Sequence, residues 1–156
     1  MLAQTSSDKT DGRFPFAIFD RRFPDGKLSV MFKPMSGAGD QAGGLVWRYR
    51  DENNYYIVRA NALENNVVLY KVEGGRRSAL APVGTPKGTY GVKRAVPSKA
   101  WSTLAVTFKG DLMTVSFNGQ KLFDVKDSTF KGPGGIGLWT KADSVTYFDN
   151  FTFQEP

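Results

Sequence analysis

Alternation of apolar and polar side chains at every second residue is the feature that most constrains this fold. About eleven such runs extend through the 156-residue chain, rich in valine, phenylalanine, tyrosine, tryptophan and threonine. Period-two patterning is typical of strands with one buried face, and no window keeps helical periodicity beyond about two turns. The sequence therefore predicts an all-β fold. The predicted strands are residues 14–20, 27–33, 43–50, 55–61, 66–73, 76–81, 101–109, 112–118, 121–125, 135–141 and 144–153.

Turn residues separate these runs at hairpin spacing. Asn118-Gly119 is the strongest signal, because a type I′ turn needs positive φ at both central residues and these types tolerate it. Residues 51–54, 73–75 and 109–111 carry similar signals. Many short strands joined by tight reversals favour a two-sheet antiparallel sandwich.

Residues 14–156 read as a single domain, and residues 1–13 as a loose polar leader. The opening Met1–Ser7 resembles the end of a secretory signal peptide cut after Ala3, so we expect a secreted or periplasmic bacterial protein. No run approaches the roughly 18–20 apolar residues of a membrane span.

Neither cysteine nor histidine occurs in the chain. Disulfides, thiolate nucleophiles, Ser-His-Asp triads and zinc sites with His or Cys ligands are therefore excluded. Binding or chemistry has to come from carboxylates, lysine, arginine, tyrosine, asparagine and the backbone.

The net charge of +6 is concentrated in one segment, residues 76–99. Such a field favours anionic partners, including acidic polysaccharides, although a solvated loop has the same composition. Nucleic acid is disfavoured because the aromatic interleaving of single-strand binders is missing. The cations of this segment, which contains no acid, are Arg76, Arg77, Lys87, Lys93, Arg94 and Lys99.

Several stretches together resemble concanavalin A-like lectin/glucanase (laminin-G-like) jelly rolls, and most of all the bacterial 3-keto-disaccharide hydrolase-like family. The resemblance covers roughly residues 14–154 and implies two curved antiparallel sheets, with any glycan on the concave face. It is specific for fold and weak for chemistry, because lectins, glucanases and adhesion domains share this sandwich. The matching stretches are residues 43–56, 59–67, 101–106, 135–144 and 148–151.

The same resemblance implies a structural calcium ion, with Asp149 and Asp20 as its candidate ligands. Calcium takes six to eight oxygens, so two carboxylates are thin support. Asp149 has the alternatives of capping a turn or pairing with Arg21 or Arg22. No other cofactor is expected.

Sugar recognition needs an aromatic platform and planar hydrogen-bonding groups on a rigid sheet. Alternation places arginine, tryptophan and lysine side chains on outward rows that line one concave sheet. Arginine also suits a carboxylate or sulfate. The candidate ligand-binding residues are Arg48, Arg59, Asn61, Trp139, Lys141 and Asp143.

Each candidate has a structural alternative. Trp139 also fits a buried position in a glycine-rich strand, and Trp47 and Trp101 are expected in the core. Arg48 and Arg59 also fit ion pairs across strands. The acids available for such pairs are Glu52, Glu64 and Glu73.

We therefore predict a carbohydrate-binding or accessory domain for a glycan, with anionic glycans favoured. The first alternative is a histidine-free glycoside hydrolase or polysaccharide lyase, with catalytic residues unassigned. The glucanase pattern Glu-x-Asp-x-x-Glu is missing, and Asp143 has no second carboxylate at the spacing that hydrolysis needs. The second alternative is a laminin-G-like protein-interaction domain.

Overall fold

The regular structure of the protein consists of thirteen strands, in a computed structural model that describes residues 1–156. All eleven predicted strands form, with ends shifted by a few residues, and two short strands are added. No helix is long and apolar enough to cross a membrane. The strands are β1 (Leu2–Gln4), β2 (Phe16–Phe23), β3 (Gly26–Ser36), β4 (Ala42–Asp51), β5 (Asn54–Asn61), β6 (Asn66–Glu73), β7 (Arg76–Ala79), β8 (Val92–Lys93), β9 (Ser102–Lys109), β10 (Leu112–Phe117), β11 (Gln120–Lys126), β12 (Gly134–Trp139) and β13 (Val145–Gln154).

The strands form two antiparallel sheets. The six-stranded sheet has the order β1-β13-β3-β9-β10-β11. The seven-stranded sheet has the order β2-β12-β4-β5-β6-β7, and β8 pairs with β6 beside this path. The predicted fold class, an all-β jelly-roll sandwich of two antiparallel sheets, is confirmed.

The main core lies between the sheets and consists of 23 buried residues. Trp47 stacks on Tyr56 at 5.7 Å and on Phe108 at 6.0 Å between ring centroids, which joins the two sheets through aromatic contacts. Alternate residues of β9 and β10 face the other sheet and are buried, including Val106 and Val115.

The Asn118-Gly119 turn has the predicted geometry. Its φ angles are +48° at Asn118 and +78° at Gly119, both in the left-handed region. This turn joins β10 to β11, which is an edge strand of the six-stranded sheet.

Alternation along β4 breaks at Arg48, which corrects the predicted outward row. Its φ is +48°, and the pairing with β5 shifts between Trp47 and Asp51. After this irregularity Tyr49 packs on the outer face of the sheet, in the same cluster as Val46. A bulge of this kind re-aims the side chains that follow it.

The expectation of a loose leader is wrong for Leu2–Gln4, which pair with β13 as β1. Further along, backbone bonds attach the segment before β2 to the loop after β12. Thr140 N donates to Pro15 O at 2.8 Å, and Ala142 N donates to Arg13 O at 2.8 Å. This attached segment, Arg13–Pro15, is called the strap below.

Candidate functional site

One cross-strand row crosses the outer face of the seven-stranded sheet, the face turned away from the other sheet. Trp139 on β12 pairs with Gly44 on β4, and Gly44 pairs with Arg59 on β5. The row continues to Phe16 on β2 and to Val68 on β6. Two predicted site residues from distant parts of the sequence therefore lie on one face, on either side of a glycine.

Trp139 is buried on this outer face, with 1% of its surface exposed. Phe14 of the strap stacks on its indole at 5.4 Å with an interplanar angle of 26°. The alternative of a buried position in a glycine-rich strand therefore describes Trp139 better than an open platform does. Its Nε1 atom is buried and makes no hydrogen bond of good geometry, although an interaction with the Tyr55 hydroxyl opposes the rise that burial causes in the pKa of Tyr55.

Arg59 lies at the centre of a polar cluster, with 2% of its surface exposed. Its guanidinium donates to Glu64 at 2.7 Å, to the Tyr70 hydroxyl at 3.0 Å and to the Tyr90 hydroxyl at 2.9 Å. The alternative of an ion pair with Glu64 is thus what the structure contains. Its Nε atom is buried and has no partner.

The charges of this cluster stabilise one another. Burial alone would raise the pKa of Glu64, but Arg59 and Asn66 outweigh burial and the pKa is lowered. Burial is also the main reason that the pKa of Tyr70 is raised. At neutral pH the cluster therefore presents the ionised Glu64 carboxylate beside the neutral Tyr70 hydroxyl.

Arg77 is a site residue that sequence reasoning missed, having counted it only in the basic segment. Its guanidinium carbon lies 4.4 Å from the ring centroid of Tyr70, 5.0 Å from that of Phe14 and 6.0 Å from that of Trp139. None of the eight salt bridges involves Arg77. Its pairing with Val72 on β6 gives the position, and this long-range register is not readable from the sequence.

Three buried donors on this outer face lack hydrogen-bond partners: Arg59 Nε, Arg77 Nη1 and Trp139 Nε1. Buried polar groups in proteins are nearly always paired, so each exception needs an explanation. Of the three residues only Arg77 is partly exposed, so its guanidinium is the one that a ligand can approach from solvent.

Asn61, Lys141 and Asp143 come together in a loop cluster at one end of the sandwich. Asn61 donates to Asp40 at 2.9 Å, and the Lys141 ammonium lies 3.1 Å from the other Asp40 oxygen. Asp143 accepts backbone N–H bonds from Ala38 at 2.7 Å, Gly39 at 3.1 Å and Asp40 at 3.0 Å.

These hydrogen bonds organise the loop between β3 and β4. Burial alone would raise the pKa of Asp143, but the backbone donors of the loop outweigh burial and lower it. A carboxylate holding three amides acts as a structural anion. Lys141 and the partly exposed Glu64 also interact electrostatically, which connects this cluster to Arg59.

Arg48 is not brought to the outer face. Its buried guanidinium donates to Pro24 O at 3.0 Å, to Phe130 O at 3.1 Å and to Gly110 O at 2.6 Å, and it pairs with Asp25 at 3.3 Å. It therefore joins three loops and contacts none of the other predicted site residues.

The two candidate calcium ligands lie on different sheets, Asp20 on β2 and Asp149 on β13. Asp149 pairs with the N-terminal ammonium of Met1 at 3.7 Å and accepts from Asn150 N, rather than from Arg21 or Arg22. No group of three or more acidic side chains that could hold a metal ion forms. These residues do not fit a calcium site by themselves, and calcium stays an implication of the resemblance.

The remaining tryptophans differ from each other. Trp47 is fully buried as expected, whereas Trp101, also expected in the core, is 37% exposed. Trp101 lies on the other sheet beside Lys33, whose ammonium is 5.8 Å from its ring centroid.

Solved structures with the same fold are known. The carbohydrate-binding module CBM66 from Bacillus subtilis superposes with a TM-score of 0.81 at 24% identity, over 94% of this chain and 84% of that chain. A tetrameric galectin from the sponge Cinachyrella gives a TM-score of 0.60 at 18% identity, over 92% of this chain and all of the other (100%).

A mutant of the GH43 protein BlXynB from Bacillus licheniformis gives a TM-score of 0.61 at 13% identity, over 86% of this chain and 28% of that chain. At these identities the likeness shows the fold. The sequence matches no curated protein. Residues 3–154 match the model of one family, and the chain therefore belongs to the 3-keto-alpha-glucoside-1,2-lyase-like domains.

Proposed function

We propose that this protein binds a glycan on the outer face of the seven-stranded sheet. The observation that carries the proposal is the partly exposed Arg77 guanidinium, which makes no ion pair and lies among aromatic rings, beside a rim formed by the exposed Tyr90 and Glu64. Sugars present hydroxyl oxygens that accept hydrogen bonds and C–H faces that pack on rings. The net charge of +6 favours an anionic glycan, and an exported protein is the natural setting.

The fold supports the proposal from a second direction. The solved structure with a TM-score of 0.81 to this chain is named as a carbohydrate-binding module. Fold alone does not imply function, so the weight rests on Arg77 and on the exposed rim of Tyr90 and Glu64.

The rim of this site, formed by Tyr90 and Glu64, is where such a ligand meets the protein from solvent. Tyr90 is 48% exposed, and its hydroxyl accepts from the buried Arg59 guanidinium. The Glu64 side chain is 43% exposed at the same place. A sugar ring lying here exchanges hydrogen bonds with groups whose positions Arg59 already fixes, which reduces the ordering that binding requires.

Binding is favoured over hydrolysis because of the ionisation state of the carboxyl groups. Glycoside hydrolysis needs a carboxyl group with a raised pKa as its general acid. Glu64, the carboxyl group at the proposed site, has a lowered pKa, because Arg59 and Asn66 outweigh its burial. It therefore lacks the proton that a general acid donates.

The second candidate is a carbohydrate lyase. The family description favours it, and so do the adjacent hydroxyls of Tyr70 and Tyr90 beside the Arg59 guanidinium. A tyrosine acting as base has to lose its proton. Burial raises the pKa of Tyr70, which opposes this role for that residue, and it outweighs the neighbouring Arg59 cation, which favours the loss by lowering the pKa of Tyr70.

The test is a glycan array with the wild-type protein and two tyrosine variants. Tyr90→Phe removes the hydroxyl of the exposed rim residue, and Tyr147→Phe, on β13 of the other sheet, is the matched control. We expect wild-type and Tyr147→Phe proteins to retain the same glycans, with retention weakened about tenfold in Tyr90→Phe, as loss of one well-made hydrogen bond implies.

Product analysis of the bound glycan separates the candidates. Unchanged glycan supports binding, and unsaturated or shortened products support the lyase or a hydrolase. Retention of a protein partner with no glycan retained would overturn the proposal in favour of a protein-interaction domain.

A further inference from the structure

We propose that Arg77 binds the carboxylate of an acidic sugar, so that the ligand contains a uronic acid. This inference rests on the proposed glycan-binding function and names the ligand class for the same site. Its basis is the environment of one guanidinium group, described in the following steps.

Arg77 is a half-buried cation with no anion beside it. Three aromatic rings surround its guanidinium carbon at 4.4–6.0 Å, from Tyr70, Phe14 and Trp139. Cation–π contacts recover part of the hydration that burial removes. Nη1 is nevertheless buried and has no acceptor, so the charge is incompletely compensated.

Arg59 provides the contrast on the same face. Its guanidinium is neutralised by Glu64 at 2.7 Å and donates to two tyrosine hydroxyls. An anion approaching Arg59 would meet the Glu64 carboxylate and be repelled. The charges therefore direct the acidic group of a ligand towards Arg77. The neutral hydroxyls of the ligand lie towards the rim of Tyr90 and Glu64, which Arg59 contacts.

The geometry of guanidinium favours a carboxylate at this position. Its planar fork of N–H groups matches the two oxygens of a carboxylate. The ring of Phe14, which is partly exposed and covers the buried Trp139, suits the C–H face of the same sugar. A sulfate ester presents related oxygens and is a separate arm of the test.

The rest of the basic segment does not extend this site into a polyanion track. Arg94 donates to Gln120 at 2.8 Å and lies over Phe117 on the other sheet. The other four cations, Arg76, Lys87, Lys93 and Lys99, are exposed, and none of them lies over an aromatic ring. One localised cation with aromatic neighbours fits a single acidic sugar better than a phosphate backbone.

The experiment is calorimetric titration with uronic-acid oligosaccharides, their methyl esters, sulfated oligosaccharides and neutral oligosaccharides of equal length. Arg77→Gln removes the charge, and Arg77→Lys keeps the charge without the fork. Arg76→Gln is the matched control, because it removes the same charge from the adjacent exposed position. Melting temperatures establish that each variant is folded.

We expect the wild-type and Arg76→Gln proteins to bind the acid at least about tenfold more tightly than its methyl ester. Arg77→Gln should lose this preference while keeping the affinity for the ester, and Arg77→Lys should retain part of it. Equal affinity for acid and ester, an unchanged preference in Arg77→Gln, or preference for sulfated sugars would overturn the uronate assignment and leave glycan binding standing. Binding of no glycan at all would overturn the proposed function itself.

Discussion

Trp139 and Arg59 lie in one cross-strand row of the seven-stranded sheet with only Gly44 between them. Because residue 44 is a glycine, no side chain lies between the indole and the guanidinium. Atoms of Val58 and Ile57 occupy the space that a Cβ would need. A Cβ on Gly44 would lie 2.6 Å from Val58 O and 2.7 Å from Ile57 Cδ1. The spacing of the two site residues thus depends on a residue that contributes no side chain.

Gly44→Ala should lower the free energy of unfolding by about 1–3 kcal/mol, because its Cβ meets backbone that cannot move away. Gly135→Ala on β12 is the comparison, since the nearest atom there is Ile18 Cγ2 at 3.1 Å, on a side chain that can adjust. Urea unfolding measures both variants. An equal or smaller loss in Gly44→Ala would contradict the close approach.

Trp139→Ala should destabilise the protein by about 3–5 kcal/mol, because a fully buried indole leaves a large cavity. Trp101→Ala, at 37% exposure, should cost much less. Thermal unfolding of the two variants measures the difference. Similar melting temperatures would mean that the Phe14 strap does not hold Trp139 in the interior.

Arg48→Ala should cost about 3–5 kcal/mol, because it leaves three loop carbonyls without their donor and Asp25 without its cationic partner. Glycan affinity of the folded protein, measured well below its melting temperature, should be unchanged. Arg50→Ala is the control, as the exposed Arg50 makes one bond, to Lys131 O at 3.0 Å. Lost glycan affinity in folded Arg48→Ala would return this residue to the binding site.

Asp143→Asn should lower stability at neutral pH by about 2–3 kcal/mol, because the carboxylate accepts three backbone bonds. The pKa of Asp143 is lowered in the folded protein from the ordinary value of 3.8, so its stabilisation is present above that value. It is lost as the pH falls through the folded pKa. The wild-type and variant unfolding curves should therefore converge in acid, and a constant gap down to the lowest pH would contradict the prediction.

Tyr56 and Tyr70 should resist ionisation until the protein unfolds in alkali. Burial raises the pKa of both, followed for Tyr56 by its hydrogen bond to Asp127 and for Tyr70 by the hydroxyl of Tyr90. Stability from each neutral hydroxyl is complete below the unfolded value of 10.0 and is lost as the pH rises above it. Ultraviolet titration measures ionisation directly.

Tyr56→Phe gives the control for that titration. One fewer tyrosine should ionise together with the unfolding transition, which circular dichroism follows in parallel. Ionisation of every tyrosine well before unfolding would show that these hydroxyls are open to solvent.

Prediction from the sequence succeeded where the determining interactions are local. The Asn118-Gly119 turn follows from the φ preferences of two residues, and both adopt the predicted angles. The prediction of side-chain direction failed at Arg48, because a β-bulge cannot be read from alternation and changes the direction of the side chains that follow it in β4. The sequence left Trp139 with two alternatives, and the strap decides for the buried one. Trp101, expected in the core, is partly exposed.

The sequence by itself determined the strands, the hairpin turns and the exclusion of histidine and cysteine chemistry, since these depend on residue type and short-range periodicity. Only the tertiary structure decided that Arg59, Arg77 and Trp139 share one face. Their positions depend on the registers of β12, β4, β5, β6 and β7, which long-range packing fixes. The same packing places the Arg48 guanidinium among three loops away from this face. It also places Arg77 among three aromatic rings.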